Sequence, residues 1–423
     1  MRSCWPGSLR LVQSGVVAAS DGRGRQRHNR SFPHDTLTTI DLVYFDAGGG
    51  HRAAALALDE VIRQQGRPWR VRLVNLFEVL DPTDRFRSVT GFALEDYYNK
   101  RLAKGWTLGL AQELKLLQAA IRFGHMKLVH RLEQHWLRTE PDLVVSLIPN
   151  FNRALYQSVG STLPGVPCVT VLTDMADFPP AFWMELPRGQ HLVLGTDRAL
   201  AQARALGYEE RHLHATSGMI IRPDFYQPLQ VDRRSELLRL GLDPDRPTGI
   251  VMFGAQGSMS MLTIAKQLDD VQLLLMCGHH RALATKLRAL TSRAKRAVIE
   301  FTPEVRRHLQ LGDFLIGKPG PASLSEAVHL GLPVVTTRNA WTMPQERYNA
   351  EWVLDNGLGL VVNSTRVLAP AVTDLLARLE SFKARVRSVR NRAVFEVPDI
   401  LAGILASNAV PAGDVDAGAR QRS

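Results

Sequence analysis

The sequence predicts two doubly wound α/β domains in tandem, with a cleft between them. Three observations carry this reading. Short apolar strands alternate with helical segments through the first half. The same alternation restarts after a linker that holds Pro223, Pro228, Pro244 and Pro247. Each half opens on a strand that runs into a glycine-bearing turn.

In the first half, residues 42–45 form a short apolar strand, followed by Ala47-Gly48-Gly49-Gly50. Residues 52–64 are rich in Ala and Leu and read as a helix. Residues 71–76 are the next strand, and 85–138 are mostly helical. Further strands are expected at 143–148, 168–172 and 192–194. In the second half, residues 249–253 form a buried strand that ends in Gly254-Ala255-Gln256-Gly257-Ser258. Strands at 273–276, 298–301, 314–316 and 334–336 follow. Strands separated by helices imply parallel βαβ units.

A chain of 423 residues is long enough for two domains. We expect a first Rossmann-like domain over 37–225, a second over 245–366, and C-terminal helices over 367–410 that cross back to the first. Residues 1–36 read as a disordered basic extension, with Arg23, Arg25, Arg27 and Arg30 and no secretory pattern. Residues 411–423 read as a disordered tail. Apolar runs fall short of the ~18 residues of a spanning helix. The three cysteines, Cys4, Cys168 and Cys277, form no CxxC pair. That argues against a disulfide framework or structural zinc and suits a reducing cytoplasm.

Lys and Arg outnumber Asp and Glu by 52 to 41, a net charge of +11. Such a surplus attracts phosphates and anionic surfaces. Residues 85–138 alone hold ten Lys or Arg against four acids, interleaved with Phe86, Phe92, Tyr97, Tyr98, Trp106, Leu110, Leu114, Leu117, Ile121, Phe123 and Met126. This mixture describes an interfacial amphipathic segment. A helix packed on its own domain, with a solvated basic face, has the same composition.

Five constellations bear on chemistry. The first is Asp46-Ala47-Gly48-Gly49-Gly50-His51-Arg52. Glycines at a strand-to-helix turn bring backbone close to a ligand, and His51 has the pKa range of a general base. Asp46 is placed to raise its basicity. A tight turn with an incidental histidine is the alternative. The second is the Gly254–Ser258 turn, whose backbone N–H groups suit a diphosphate.

The third is the strongest: Gly317-Lys318-Pro319-Gly320-Pro321-Ala322-Ser323-Leu324-Ser325-Glu326. Its loop opens a helix whose N–H groups suit phosphate, and Glu326 suits the paired hydroxyls of a ribose. Ser323 and Glu326 equally fit a capping box. The fourth, Gln345-Glu346 ahead of Asn356-Gly357, places side chains for sugar hydroxyls or caps a helix. The fifth, Thr173-Asp174 after a strand, puts Asp174 where α/β sheets hold ligands, or in a capped turn. Asp243-Pro244-Asp245 has a DxD form but lies in the linker and reads as a turn.

Taken together, Gly48-Gly49-Gly50-His51-Arg52-Ala53, the 320–326 loop with Gly331-Leu332-Pro333, and Gln345-Glu346 through Asn356-Gly357 resemble the monogalactosyldiacylglycerol synthases and processive diacylglycerol glucosyltransferases. That family is related to the transferase that adds N-acetylglucosamine to lipid I. The resemblance spans 41–362. It implies a GT-B fold, two Rossmann domains, inversion at the anomeric carbon, no cofactor and no essential bound metal. UDP-galactose or UDP-glucose is the implied donor, on the second domain. There Gly254, Gln256, Gly257, Ser258, Pro319, Gly320, Ala322 and Ser323 would hold the diphosphate and Glu326 the ribose. Gln345 and Glu346 would read the hexose, and the turn at Gly278 would lie near uracil. A diacylglycerol-type lipid would meet the first domain, with His51 and Asp46 at its hydroxyl and Gly49, Gly50 and Asp174 on the acceptor side. Pro179 departs from the plant-type members, which carry a histidine there.

The implied setting is peripheral, on an anionic membrane at the inner face of the cell membrane, with no nucleic-acid partner. A UDP-sugar epimerase shares the architecture and is the main rival. A nucleic-acid-binding module would use the charge but has no matching motif. A nicotinamide oxidoreductase lacks its GxGxxG fingerprint.

Overall fold

A computed structural model of the chain describes residues 37–46, 50–80, 110–186, 188–228 and 232–409. The extension 1–36, the tail 411–423 and the stretch 81–109, with most of the expected interfacial segment, lie outside the described residues.

The first half folds around a parallel sheet of β1 (Thr38–Tyr44), β2 (Trp69–Asn75), β3 (Leu143–Ser146), β4 (Cys168–Val171), β5 (His191–Leu194) and β6 (Leu213–Ala215). Its order is β2-β1-β3-β4-β5-β6. The second sheet holds β7 (Thr248–Met252), β8 (Gln272–Met276), β9 (Arg296–Ile299), β10 (Phe314–Gly317), β11 (Val334–Thr337) and β12 (Gly359–Val362), in the order β12-β11-β10-β7-β8-β9. All described pairings in both sheets are parallel. The two doubly wound α/β units expected from the strand–helix alternation are present. β6 and β12 are additions to the expected strands.

The strands explain why the sheets are parallel and sealed. Every residue of β3, β4, β7, β8 and β10 is buried, as a strand covered on both faces requires. The helix Gly50–Gln64 buries Ala54, Ala55, Leu58, Val61 and Ile62, a stripe at helical spacing. It packs that stripe on the sheet with Ile40, Leu42, Leu143 and Val145. Two apolar layers flank the second sheet, one containing Ile250, Leu274 and Leu324 and the other Val251, Leu275 and Phe314.

The last helix, Ala393–Ala409, does not stay with the second sheet. Its Val394, Val397, Leu401 and Ile404 complete the core beside Leu58 and Val61 of the first. Polar bonds secure the crossing. Asn391 Nδ2 donates to the Met219 carbonyl at 2.9 Å, and Ser217 Oγ donates to Glu396 Oε1 at 2.7 Å. Tyr226 packs between His329 of the second half, tilted at 4.4 Å, and Phe395 of the crossing helix, edge-on at 4.8 Å. Leu401→Ala should therefore lower stability by about 2–5 kcal/mol. Denaturant unfolding checks this, and the first half should loosen before the second in hydrogen exchange.

Candidate active site

The strand orders fix where a ligand fits. In the first sheet the order reverses between β1 and β3, and in the second between β7 and β10. A reversal sends neighbouring connections to opposite faces and opens a crevice at the strands' C-terminal ends. His51, Gly254, Lys318 and Gly320 all lie just past one of those four strands.

On the first side, His51 is the second residue of the helix Gly50–Gln64. Its Nδ1 is 3.0 Å from Thr173 Oγ1, past the end of β4. A hydrogen bond with the Leu147 carbonyl favours its charged form, but burial dominates and pushes its pKa down to about 4. The ring is therefore neutral at pH 7. It packs against Phe45 at 6.4 Å and Trp183 at 5.9 Å. Asp46, half-exposed, sits 4.0 Å from Arg52. Gly49 lies outside the described residues, and Gly50 borders open space.

Asp174 is buried beside this histidine's partner, and the Trp183 indole N–H donates to its Oδ2 at 3.0 Å. Burial pushes its pKa up to about 7, against the lowering effect of that hydrogen bond. Glu346 raises it further and Lys318 lowers it, so Asp174 stands within electrostatic reach of the second domain. Asp177, three residues on, is structural: its carboxylate accepts from the backbone N–H groups of Ala181, Phe182 and Trp183.

On the second side, two turns are built into each other. A Cβ on Gly257 would lie 2.5 Å from the Cys277 carbonyl oxygen, and one on Gly278 would lie 2.0 Å from that of Ala255. Both glycines also have positive φ, at 64° and 57°, so no other residue fits there without shifting the turns. The His279 N–H donates to the Ala255 carbonyl at 2.8 Å. Gln256 is exposed, and Ser258 Oγ accepts from the Ser260 N–H at 3.2 Å. His279 stacks at 3.8 Å on Phe301.

The loop after β10 leads into the helix Pro321–His329, whose N-cap is Gly320 with Pro321 at the first position. Ser323 is thus inside the helix, and the capping-box alternative for Ser323 and Glu326 does not hold. Pro319 and Gly320 are buried, Ala322 is exposed and Ser323 half-buried. The Pro319 carbonyl accepts from Asn349 Nδ2 at 2.7 Å. Glu326 is half-buried, and burial pushes its pKa up to about 7, restrained by Arg222. Gln345 and Glu346 lie in a short 3-10 turn ahead of the helix Arg347–Asp355. Glu346 is buried and ion-paired to Lys318 at 3.0 Å.

His51, Asp174, Lys318, Gly320 and Glu346 therefore gather at the facing strand ends. Glu326 stands farther along its helix, facing Arg222 and Asp224 of the linker. Trp183 and Arg222 join the site without having been singled out from sequence, and Thr173 and Lys318, both inside quoted motifs, join it without an assigned role. The DxD segment is a turn: the Asp245 N–H donates to Asp243 Oδ1, and Asp245 pairs with Arg234 at 2.7 Å.

The raised Asp174 pKa has a sign that stability measurements read. Its folded value, about 7, exceeds the ordinary aspartate value of 3.8, so the folded state holds the proton longer. Stability falls as pH rises from about 4 to 7 and then levels off. Asp174→Asn should stabilise the protein at pH 8 by up to about 4 kcal/mol, and the gain should vanish by pH 4. Thermal melts of both proteins across pH check this.

Comparison with known proteins agrees with this architecture. No family model matches the chain. Monogalactosyldiacylglycerol synthase 1 of Arabidopsis thaliana is 25% identical, over 80% of this chain and 65% of its own. The processive diacylglycerol β-glucosyltransferase of Bacillus subtilis is 24% identical, over 64% of this chain and 69% of its own. The chain spans slightly less than two thirds of the length of the plant protein. Among solved structures, Acinetobacter baumannii MurG superposes with a TM-score of 0.58 at 14% identity, covering 86% of this chain and 99% of its own. A putative UDP-N-acetylglucosamine 2-epimerase from Listeria monocytogenes gives 0.54 at 14%, covering 88% and 96%. The fold is GT-B, and the fold alone does not separate a transferase from an epimerase. In sequence, the chain is similar to the monogalactosyldiacylglycerol synthases and processive diacylglycerol glucosyltransferases.

Proposed function

We propose that this chain, similar over most of its length to galactosyl- and glucosyl-transferring lipid enzymes, is a UDP-sugar-dependent hexosyltransferase. It moves galactose or glucose onto a diacylglycerol-type hydroxyl with inversion, giving a β-glycosyl lipid. The observation that carries this is the meeting of two unlike half-sites. A neutral, half-buried histidine faces a second half-site of glycine turns, a helix N-terminus and a buried carboxylate. An epimerase needs no lipid hydroxyl, and the similarity in sequence is to lipid glycosyltransferases.

The second domain holds the donor. Backbone N–H groups of the Gly254–Ser258 turn and of Ala322 and Ser323, in the first turn of the helix Pro321–His329, face the diphosphate, where a helix N-terminus favours negative charge. Glu326 accepts from the ribose hydroxyls. Gln345 and Glu346 accept or donate to hexose hydroxyls, and the Gly278 turn borders the base.

The first domain holds the acceptor. His51 takes the hydroxyl proton on its neutral ring, while the Asp46 carboxylate on the same turn sits beside Arg52. The freed oxygen attacks the anomeric carbon from the face opposite the diphosphate. The bond from that carbon to the phosphate oxygen breaks, and its electron pair leaves with UDP. Pre-aimed amides stabilise the charge that builds there.

A second reading of the base rests on Asp174, whose pKa of about 7 is matched to working pH. The pH profile separates the two. If His51 is the base, kcat/KM stays level from pH 8 to about 5, because its pKa lies near 4. If ionised Asp174 is required, kcat/KM falls tenfold per unit below pH 7. His51→Ala and Glu326→Ala should each cut transfer by about a hundredfold or more. Wild-type rates in both folded variants would refute the assignment.

The membrane surface is supported by the two helices Leu110–Phe123 and His125–Thr139. Val129, Leu132 and Trp136 anchor the second on its own domain. Leu116, Phe123 and Met126 remain exposed, at 70%, 97% and 67%, among exposed Lys115, Arg122, Lys127 and Arg131. Bulky apolar side chains ringed by cations suit the interface of an anionic bilayer. No helix among the described residues is long and apolar enough to cross a membrane. Cosedimentation with vesicles rich in anionic lipid should fall as salt rises, and fall further for Phe123→Ser. Attachment indifferent to both changes would argue against this face.

A further inference from the structure

Lys318 is a cation at the centre of the site with no part in the account above. Its ammonium lies 3.0 Å from Glu346 Oε1. Its stem runs between the two glycine turns. A Cβ on Gly254 would lie 3.8 Å from Lys318 Cε, and one on Gly320 would lie 3.6 Å from the same carbon. The second would also lie 3.6 Å from Glu346 Oε1 and 4.0 Å from Lys318 Nζ. Both turns that would flank a diphosphate therefore open onto the end of this side chain. The two partners differ in burial: the Lys318 side chain is 39% exposed and that of Glu346 only 7%. The lysine can turn toward an incoming ligand, whereas the carboxylate stays in place and needs a partner wherever the lysine goes.

We infer that Lys318 is an exchangeable cation: it neutralises Glu346 in the free protein and turns to the diphosphate when a sugar nucleotide enters, leaving Glu346 for the sugar hydroxyls. The inference rests on the donor reading above. A complete sugar nucleotide replaces both halves of the ion pair, so no buried charge is stranded. UDP without its sugar takes the lysine but offers Glu346 nothing. The pair thus favours the intact donor over the spent nucleotide. After transfer, the bared carboxylate draws Lys318 back and speeds release of UDP.

Titration calorimetry on the full chain tests this with UDP, UDP-galactose and UDP-glucose. Glu346→Gln frees the lysine, so UDP should bind about threefold tighter or more, while the preferred UDP-hexose gains nothing. Lys318→Met should weaken both nucleotides by about tenfold or more, and Lys318→Arg should restore most of that loss. Lys318→Met leaves Glu346 bare and is prone to misfold, so the decisive protein is the neutral double variant Lys318→Met with Glu346→Gln. It should bind UDP more weakly than the wild type and close to Lys318→Met, because the gain in Glu346→Gln runs through the lysine. If the double variant binds UDP as tightly as Glu346→Gln, or if Glu346→Gln matches wild type, the exchange is wrong while the donor site stands. If the wild type binds no uridine nucleotide, the donor reading itself falls.

Discussion

The reversal of strand order in each sheet is the constraint on which the rest of the structure depends. Parallel strands must be linked by crossovers of one hand. Where the order reverses, adjacent crossovers leave on opposite faces and a gap remains between them. β1 with β3, and β7 with β10, create two such gaps. Each is entered by the start of a helix, and each is lined by glycine or by small backbone turns. Side chains placed within a few residues of those strand ends, from Lys318 directly after β10 to His51 on the helix after β1, face the gap because the fold gives them nowhere else to go. The crossing helix Ala393–Ala409, sealed into the first core, ties the two sheets into one working unit.

The same crevice concentrates groups that folding alone would not choose. Asp174, Glu326 and His51 all have charged forms disfavoured by burial. Each is retained by one or two specific partners: the Trp183 indole for Asp174, Arg222 for Glu326, Thr173 and the Leu147 carbonyl for His51. Asp41, mid-strand in β1 and paired with Arg72, is a buried charge of the structural kind. It lies within a strand, whereas Asp174 lies past a strand end, His51 at a helix start and Glu326 in the helix that follows β10. Position relative to the strand ends separates the two kinds better than the size of a shift does.

Most of the fold was legible in the sequence because buried parallel strands are short apolar runs and their helices carry a helical stripe. β6 escaped notice since Leu213-His214-Ala215 is short, polar in its centre and at a sheet edge. β12 was hidden because it is short, begins at Gly359 and directly follows the Asn356-Gly357 pair. In the site, the glycine turns and Glu346 were visible as motifs, and the mutual fit of Gly257 and Gly278 now accounts for both. The pairing of Lys318 with Glu346 was not, because it joins residues 28 positions apart through tertiary packing. Trp183, and the contact of Thr173 with His51, were missed for the same reason. The Ser323–Glu326 pattern misled toward a cap because Pro321 starts the helix two residues earlier.

The account stands or falls on where a hexose goes when the protein is given a sugar nucleotide and a lipid. Incubation of the full chain with radiolabelled UDP-galactose or UDP-glucose and diacylglycerol vesicles, followed by partition between organic and aqueous phases, measures this directly. The account predicts label in the lipid phase in step with UDP release, and none without the lipid. Label that stays water-soluble, or a sugar nucleotide epimerised in the absence of lipid, would contradict it.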